Sequence, residues 1–126
     1  SHRRIFAYSL AFRVPHARMD RLQTLLTYYE DDPEDPFTRY ALATEYRKRS
    51  QTDDALALFE GLVADHPNYV GTYYHLGKLY EDLARLEEAI ATYQAGIRTA
   101  QRLGDLHARA ELQSALLEAE GLGFDD

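Results

Sequence analysis

The sequence contains no cysteine. That excludes disulfides, thiolate metal sites and cysteine nucleophiles. It also fits a reducing compartment, so a cytoplasmic location is expected. No stretch approaches the roughly 20 apolar residues that cross a bilayer, and no membrane contact is expected. Positive charge is scarce: Lys48 and Lys78 are the only lysines, and the formal net charge of this acidic chain is -7. Phosphate backbones demand a basic surface, so nucleic acid is not an expected partner. The five histidines, His2, His16, His66, His75 and His107, include no pair at metal-ligand spacing on one helix turn. No His-Glu-x-x-His, glycine-rich phosphate loop, nucleophile elbow or Ser/His/Asp cluster is visible. The acidic run Glu30–Asp35 lacks the alternating ligands and central glycine of a calcium loop and reads as a solvated turn. The expectation is a protein without enzymatic activity, cofactor or metal.

Composition changes sharply near the single methionine, Met19. Residues 1–18 hold Arg3, Arg4, Arg13 and Arg18 and no acid, so removing those four charges from -7 leaves -11 for the rest. The twin arginines followed by Phe6 and a short apolar run have the look of a targeting signal, but the run is short and "VPHA" is a poor cleavage site. Residues 1–18 are therefore expected to be an upstream extension, a tag or a targeting-like tail without fixed structure. Residues 19–126 are expected to form one domain with a modest core.

A period appears from Asp35 onward. Tyr40 pairs with Tyr74, Leu42 with Leu76, Ala43 with Gly77, Tyr46 with Tyr80, Ala55 with Ala89 and Phe59 with Tyr93, all at one constant separation. Each unit reads as two helices. Asp35 suits an N-cap and Pro36 the first helical position. Thr52 is the next expected cap, with Asp53 and Asp54 favourably placed in the first turn. Pro67 disfavours helix at His66 and ends the unit. The second unit is expected to run from about Tyr69 to Leu83 and from about Leu86 to Leu103, with Gly104 as its stop and Asp105 as the next cap.

A 34-residue helix–turn–helix with this spacing of aromatic, leucine, small and proline residues resembles the tetratricopeptide repeat. The resemblance covers about Asp35 to Gly104. It implies an all-α, right-handed solenoid of helical hairpins. About six helices are expected: a leading helix over 19–34 with Leu22, Leu25, Leu26 and Tyr29 on one face, repeat 1 over 35–69, repeat 2 over 70–104, a capping helix over 105–120 with Ala108, Leu112, Ala115, Leu116 and Ala119 as its stripe, and a tail over 121–126. It also implies a reason for Gly77 within a helix, where glycine costs roughly 1 kcal/mol against alanine. Gly77 is expected to face Ala89 at a close helix approach flanked by Tyr80 and Tyr93, so that Gly77→Leu destabilises strongly.

The resemblance further implies function. First helices of such repeats line a concave groove that holds an extended peptide or a partner helix. This assigns Phe37, Tyr40, Thr44 and Arg47 from the first unit, and Tyr74, His75, Lys78 and Glu81 from the second, to a partner-binding groove. Tyr40, Thr44 and His75 stand where chaperone-binding members carry their lysine and asparagine clamp, so binding to chaperone tails is not expected. The expected role is an adaptor or scaffold for a protein or peptide. The alternative is self-association through the terminal helices into a homo-oligomer, because a short solenoid has exposed stacking ends.

Overall fold

The computed structural model describes residues 20–124. The expectation for residues 1–18 lies outside them. Among the described residues there are six helices and no strand: α1 (Arg21–Asp31), α2 (Pro36–Lys48), α3 (Thr52–Asp65), α4 (Gly71–Asp82), α5 (Leu86–Leu103) and α6 (Leu106–Phe124). Each helix packs on the next. In addition, α4 touches α2 on one side and α6 on the other. The pairs α2–α3 and α4–α5 are the two hairpins, and their stacking makes an all-α solenoid.

Local chemistry fixes the helix ends. The Asp35 carboxylate accepts from the Thr38 amide at 2.9 Å and the Thr38 hydroxyl at 2.7 Å, with Pro36 in the first turn. These bonds hold Asp35 below the usual carboxylate range. Asp20 and Gln23 form a reciprocal capping box on α1. Gly104 closes α5 in the left-handed conformation at φ 73°, and the Asp105 side chain accepts from the Ala108 amide at 3.0 Å. Inside each hairpin the turn is made differently. Ser50 (φ 61°) and Ala84 (φ 58°), at matching places in the two units, occupy the left-handed region without being glycine. The following amides reach back to close the helix: Gln51 to the Tyr46 carbonyl at 2.9 Å and Arg85 to the Tyr80 carbonyl at 2.8 Å.

The core runs through both hairpins into α6. Phe59 and Tyr93, one per unit, are fully buried. Each contributes on the order of 1.5–3 kcal/mol by leaving water. The glycines mark where helices meet. A Cβ on Gly77 would stand 2.1 Å from Tyr93 Cε1, so the ring of α5 lies directly on the α4 backbone. A Cβ on Gly96 would stand 2.5 Å from Tyr73 Cβ and 3.0 Å from Leu112 Cδ1, where α5 is clasped by α4 and α6. Three tyrosine hydroxyls in this packing are engaged: Tyr73 donates to the Pro67 carbonyl at 2.6 Å, Tyr80 to Glu60 at 2.6 Å, and Tyr93 to Glu81. Burial and the carboxylate acceptors push the Tyr80 and Tyr93 phenols well above their ordinary range.

Several expectations need correction. The nearest contact to Gly77 is the Tyr93 ring, expected only at the flank of the crossing, because the aromatic side chain projects across it. Thr52 is the first helical residue of α3 and Gln51 its cap, without a side-chain capping bond. The leading helix ends at Asp31, since Pro33 disfavours helix at Asp32. Leu26 faces out while Leu25 is buried. The last helix continues past Glu120 to Phe124. Its stripe holds: Leu112, Ala115 and Ala119 are buried, and Ala108 and Leu116 pack beside them.

Candidate partner-binding groove

The helices α2, α4 and α6 lie side by side, and the candidate groove residues fall on α2 and α4. A chain of rings crosses from one to the other. Tyr40 meets Tyr69 with centroids 5.4 Å apart, and meets His75 edge-on at 5.4 Å. His75 in turn meets Tyr74 edge-on at 5.5 Å. Beneath it, the His75 ring stacks on buried Phe59 at 6.2 Å with an interplanar angle of 5°. His75 is therefore a half-buried floor residue, tying the groove aromatics to the core. Burial and the nearby Arg47 charge lower its pKa from 6.5, with Glu111 opposing them.

The basic side chains are engaged within the domain. Lys78 Nζ lies 5.5 Å from the Tyr74 ring centroid, 3.6 Å from Glu118 and 3.9 Å from Glu81. Arg47 spans the hairpins to Asp82 at 3.1 Å. Both outer partners, Glu118 and Asp82, are mostly solvent-exposed. Such pairs are worth less than about 1 kcal/mol. Thr44 turns its hydroxyl back to the Ala41 carbonyl at 2.8 Å. Phe37 stands open at the edge, 62% exposed. Thus Tyr40, Tyr74, His75, Lys78 and Glu81 come together, Arg47 joins through Asp82, Phe37 lies apart, and Thr44 is occupied by its own helix.

Sequence reasoning missed the third wall. Glu111, Ser114, Ala115 and Glu118 of α6 face Tyr74 and Lys78 around an open cavity of about 200 Å³. Glu111 is close enough to Tyr40 for its charge, after burial and Tyr69, to help raise that phenol's pKa. The available signal was the polar flank beside the Leu112 and Ala115 stripe. A second hollow of about 370 Å³ lies between Pro36 and the 65–69 turn. Among the described residues no group of three or more His, Asp or Glu side chains could hold a metal ion. No helix among them is long and apolar enough to cross a membrane.

Comparison with known proteins agrees with this architecture. A tetratricopeptide repeat family model matches residues 46–116. A tetratricopeptide repeat domain protein from Salinibacter ruber, known as a crystal structure, is 59% identical, with a TM-score of 0.68 over 70% of this chain and 98% of that one. The solution structure of a tetratricopeptide repeat domain protein from the same organism gives 58% identity and a TM-score of 0.71 over 75% and 96%. The cellulose synthase operon protein C of Pseudomonas fluorescens (strain SBW25) is 39% identical over 79 residues, which are 63% of this chain but 6% of that protein. Repeats of this kind stack into extended concave surfaces, a fold suited to protein partners. The constant repeat period, the paired helices and these matches together establish that the chain belongs to the tetratricopeptide repeat family.

Proposed function

We propose that this domain is a non-catalytic, cytoplasmic adaptor that holds an extended peptide or a helix of a protein partner in the groove between α2, α4 and α6. The observation that carries the reading is the clustering of Tyr74 and Lys78 with Glu111, Ser114 and Glu118 around an open hollow, with Tyr40 linked to Tyr74 through the His75 ring. Tyrosine rings supply rigid contact area with few rotors to immobilise, which makes them frequent anchors of interfaces. Lys78 and Arg47 hold exposed carboxylates that an acidic ligand side chain can replace. The carboxylates of Glu111 and Glu118 at the hollow likewise favour a ligand with basic residues beside its acidic anchor. The absence of cysteine supports the compartment.

The test is selection of peptides from a random display library on the immobilised chain, with counter-selection on Tyr74→Ala/Lys78→Ala. Both changes are at partly exposed positions, so the variant is expected to fold. Peptides kept by the parent chain and lost by the variant are the expected result. Peptides held equally by both would place binding elsewhere and refute the groove.

A further inference from the structure

The helix α6 carries apolar residues on two opposite faces. One face, Leu112, Ala115 and Ala119, is buried in the core, with Ala108 and Leu116 packed beside it. The other holds Leu106, Ala110, Gln113 and Leu117, at steps of four, three and four residues, which a helix gathers into one stripe. All four are exposed, Leu106 at 72% and Leu117 at 70%. Among the described residues α6 touches α4 and α5 alone, so the stripe has no partner within the domain. A surface helix ordinarily turns a polar face outward; apolar residues on both faces belong to a helix that is covered on both.

We propose that a second copy of this chain covers the stripe, its α6 packed antiparallel on the first about a two-fold axis. In that orientation the stripe is complementary to itself about a single centre. With the axis level between Glu111 and Leu112, Leu106 faces Leu117 of the second copy and Ala110 faces Gln113 of the second copy. The leucine pairs close the two ends. The small Ala110 between them allows the helices a close approach.

Charge selects the same orientation. His107 and Arg109 lie in the first half of α6, and Glu118 and Glu120 in the second. Of the acids near its start, Asp105 caps the helix and Glu111 lines the groove hollow. Antiparallel packing brings the basic half of each copy to the acidic half of the other and sets the helix dipoles in opposition. Parallel packing would instead place the glutamates of both copies side by side. The groove side of α6 carries Glu111, Ser114 and Glu118, a different side from the stripe, so the inference stands independently of the peptide reading.

The test is the mass of the full chain across concentration, by analytical ultracentrifugation, against Leu106→Asp/Leu117→Asp. Both leucines are exposed, so the variant is expected to fold, which its circular dichroism and melting verify. The parent chain is expected to pass from the 14.5 kDa of one copy to twice that mass. A single helix pair is a small interface, so the range extends to about 1 mM. The variant should remain at one copy. Orientation is read separately, because a chain without cysteine accepts single thiols cleanly. Leu106→Cys mixed with Leu117→Cys should join to each other through a short thiol-reactive linker. Like positions would stand about 16 Å apart along the helices and should not join. A parent chain that stays at one copy, a variant that doubles equally, or linking of like positions would each overturn the proposal. So would a mass that climbs past two copies, the mark of head-to-tail stacking.

Discussion

Replacing Gly77 by alanine sets two known effects against each other. In an exposed helix the change stabilises by up to about 1 kcal/mol, because glycine is the weaker helix former. Here the new Cβ would lie 2.1 Å from Tyr93 Cε1 and 2.6 Å from both Cδ1 and Cζ, well inside a normal contact distance. The ring has nowhere to go: Tyr93 is 0% exposed and its hydroxyl is held by Glu81. Overpacking of a filled core typically costs about 1–3 kcal/mol, and a contact this short belongs at the upper end. Subtracting the propensity gain leaves a net loss of about 2 kcal/mol. For a domain of about 100 residues that lowers Tm by roughly 8–16 °C. Thermal melting followed by circular dichroism, with urea unfolding alongside, reads the difference. Gly121→Ala is the internal control, since nothing lies within 4 Å of its added Cβ. Melting of Gly77→Ala at or above the parent temperature would refute the reasoning.

The hairpin turns give the opposite sign. Ser50 and Ala84 hold left-handed backbone that disfavours L-residues by about 1–2 kcal/mol, so Ser50→Gly and Ala84→Gly should each raise stability by about 1 kcal/mol in urea unfolding. Titration of His75 gives a pH dependence. Its folded pKa is lowered from 6.5, so its contribution is present above 6.5 and is lost as pH falls through the folded value. Stability should therefore decline on the acid side of 6.5, and His75→Gln should flatten that part of the profile. Tyr80 and Tyr93 act at the other end. Their folded pKa values are raised from 10.0, so their contribution is complete below that value and is lost as pH rises through the folded ones. Alkaline melting of Tyr80→Phe should show a shallower slope than the parent chain.

The parts of this fold that depend on local sequence were readable from it. Asp35-Pro36 opens a helix through an N-cap and a fixed φ, Gly104 closes one through left-handed backbone, and the regular spacing of tyrosines and small residues sets the hairpins. What depends on three-dimensional approach was not. The resemblance put Gly77 opposite a small residue, but it is the Tyr93 ring, through the length of its side chain, that makes the nearest contact there. The left-handed turns at Ser50 and Ala84 carry no glycine or asparagine, so nothing in composition marks them. The sequence places Arg47 and Lys78 on the groove helices but does not show what they pair with. Their ion pairs with Asp82 and Glu118 come from neighbouring helices, a proximity that only packing creates. The third wall of the groove was hidden for the same reason, because Glu111 and Ser114 lie outside the repeat pattern and gain their place from the contact of α6 with α4.

The central claim is that a partner peptide lies across α2, α4 and α6. Its most direct test is titration of a selected peptide into the isotopically labelled chain, followed by backbone amide resonances. The account predicts the largest shifts at Tyr40, Tyr74, Lys78, Glu111 and Ser114, with the outer sides of α3 and α5 unchanged. Shifts confined to α3 and α5, or to the exposed ends of α1, would contradict it.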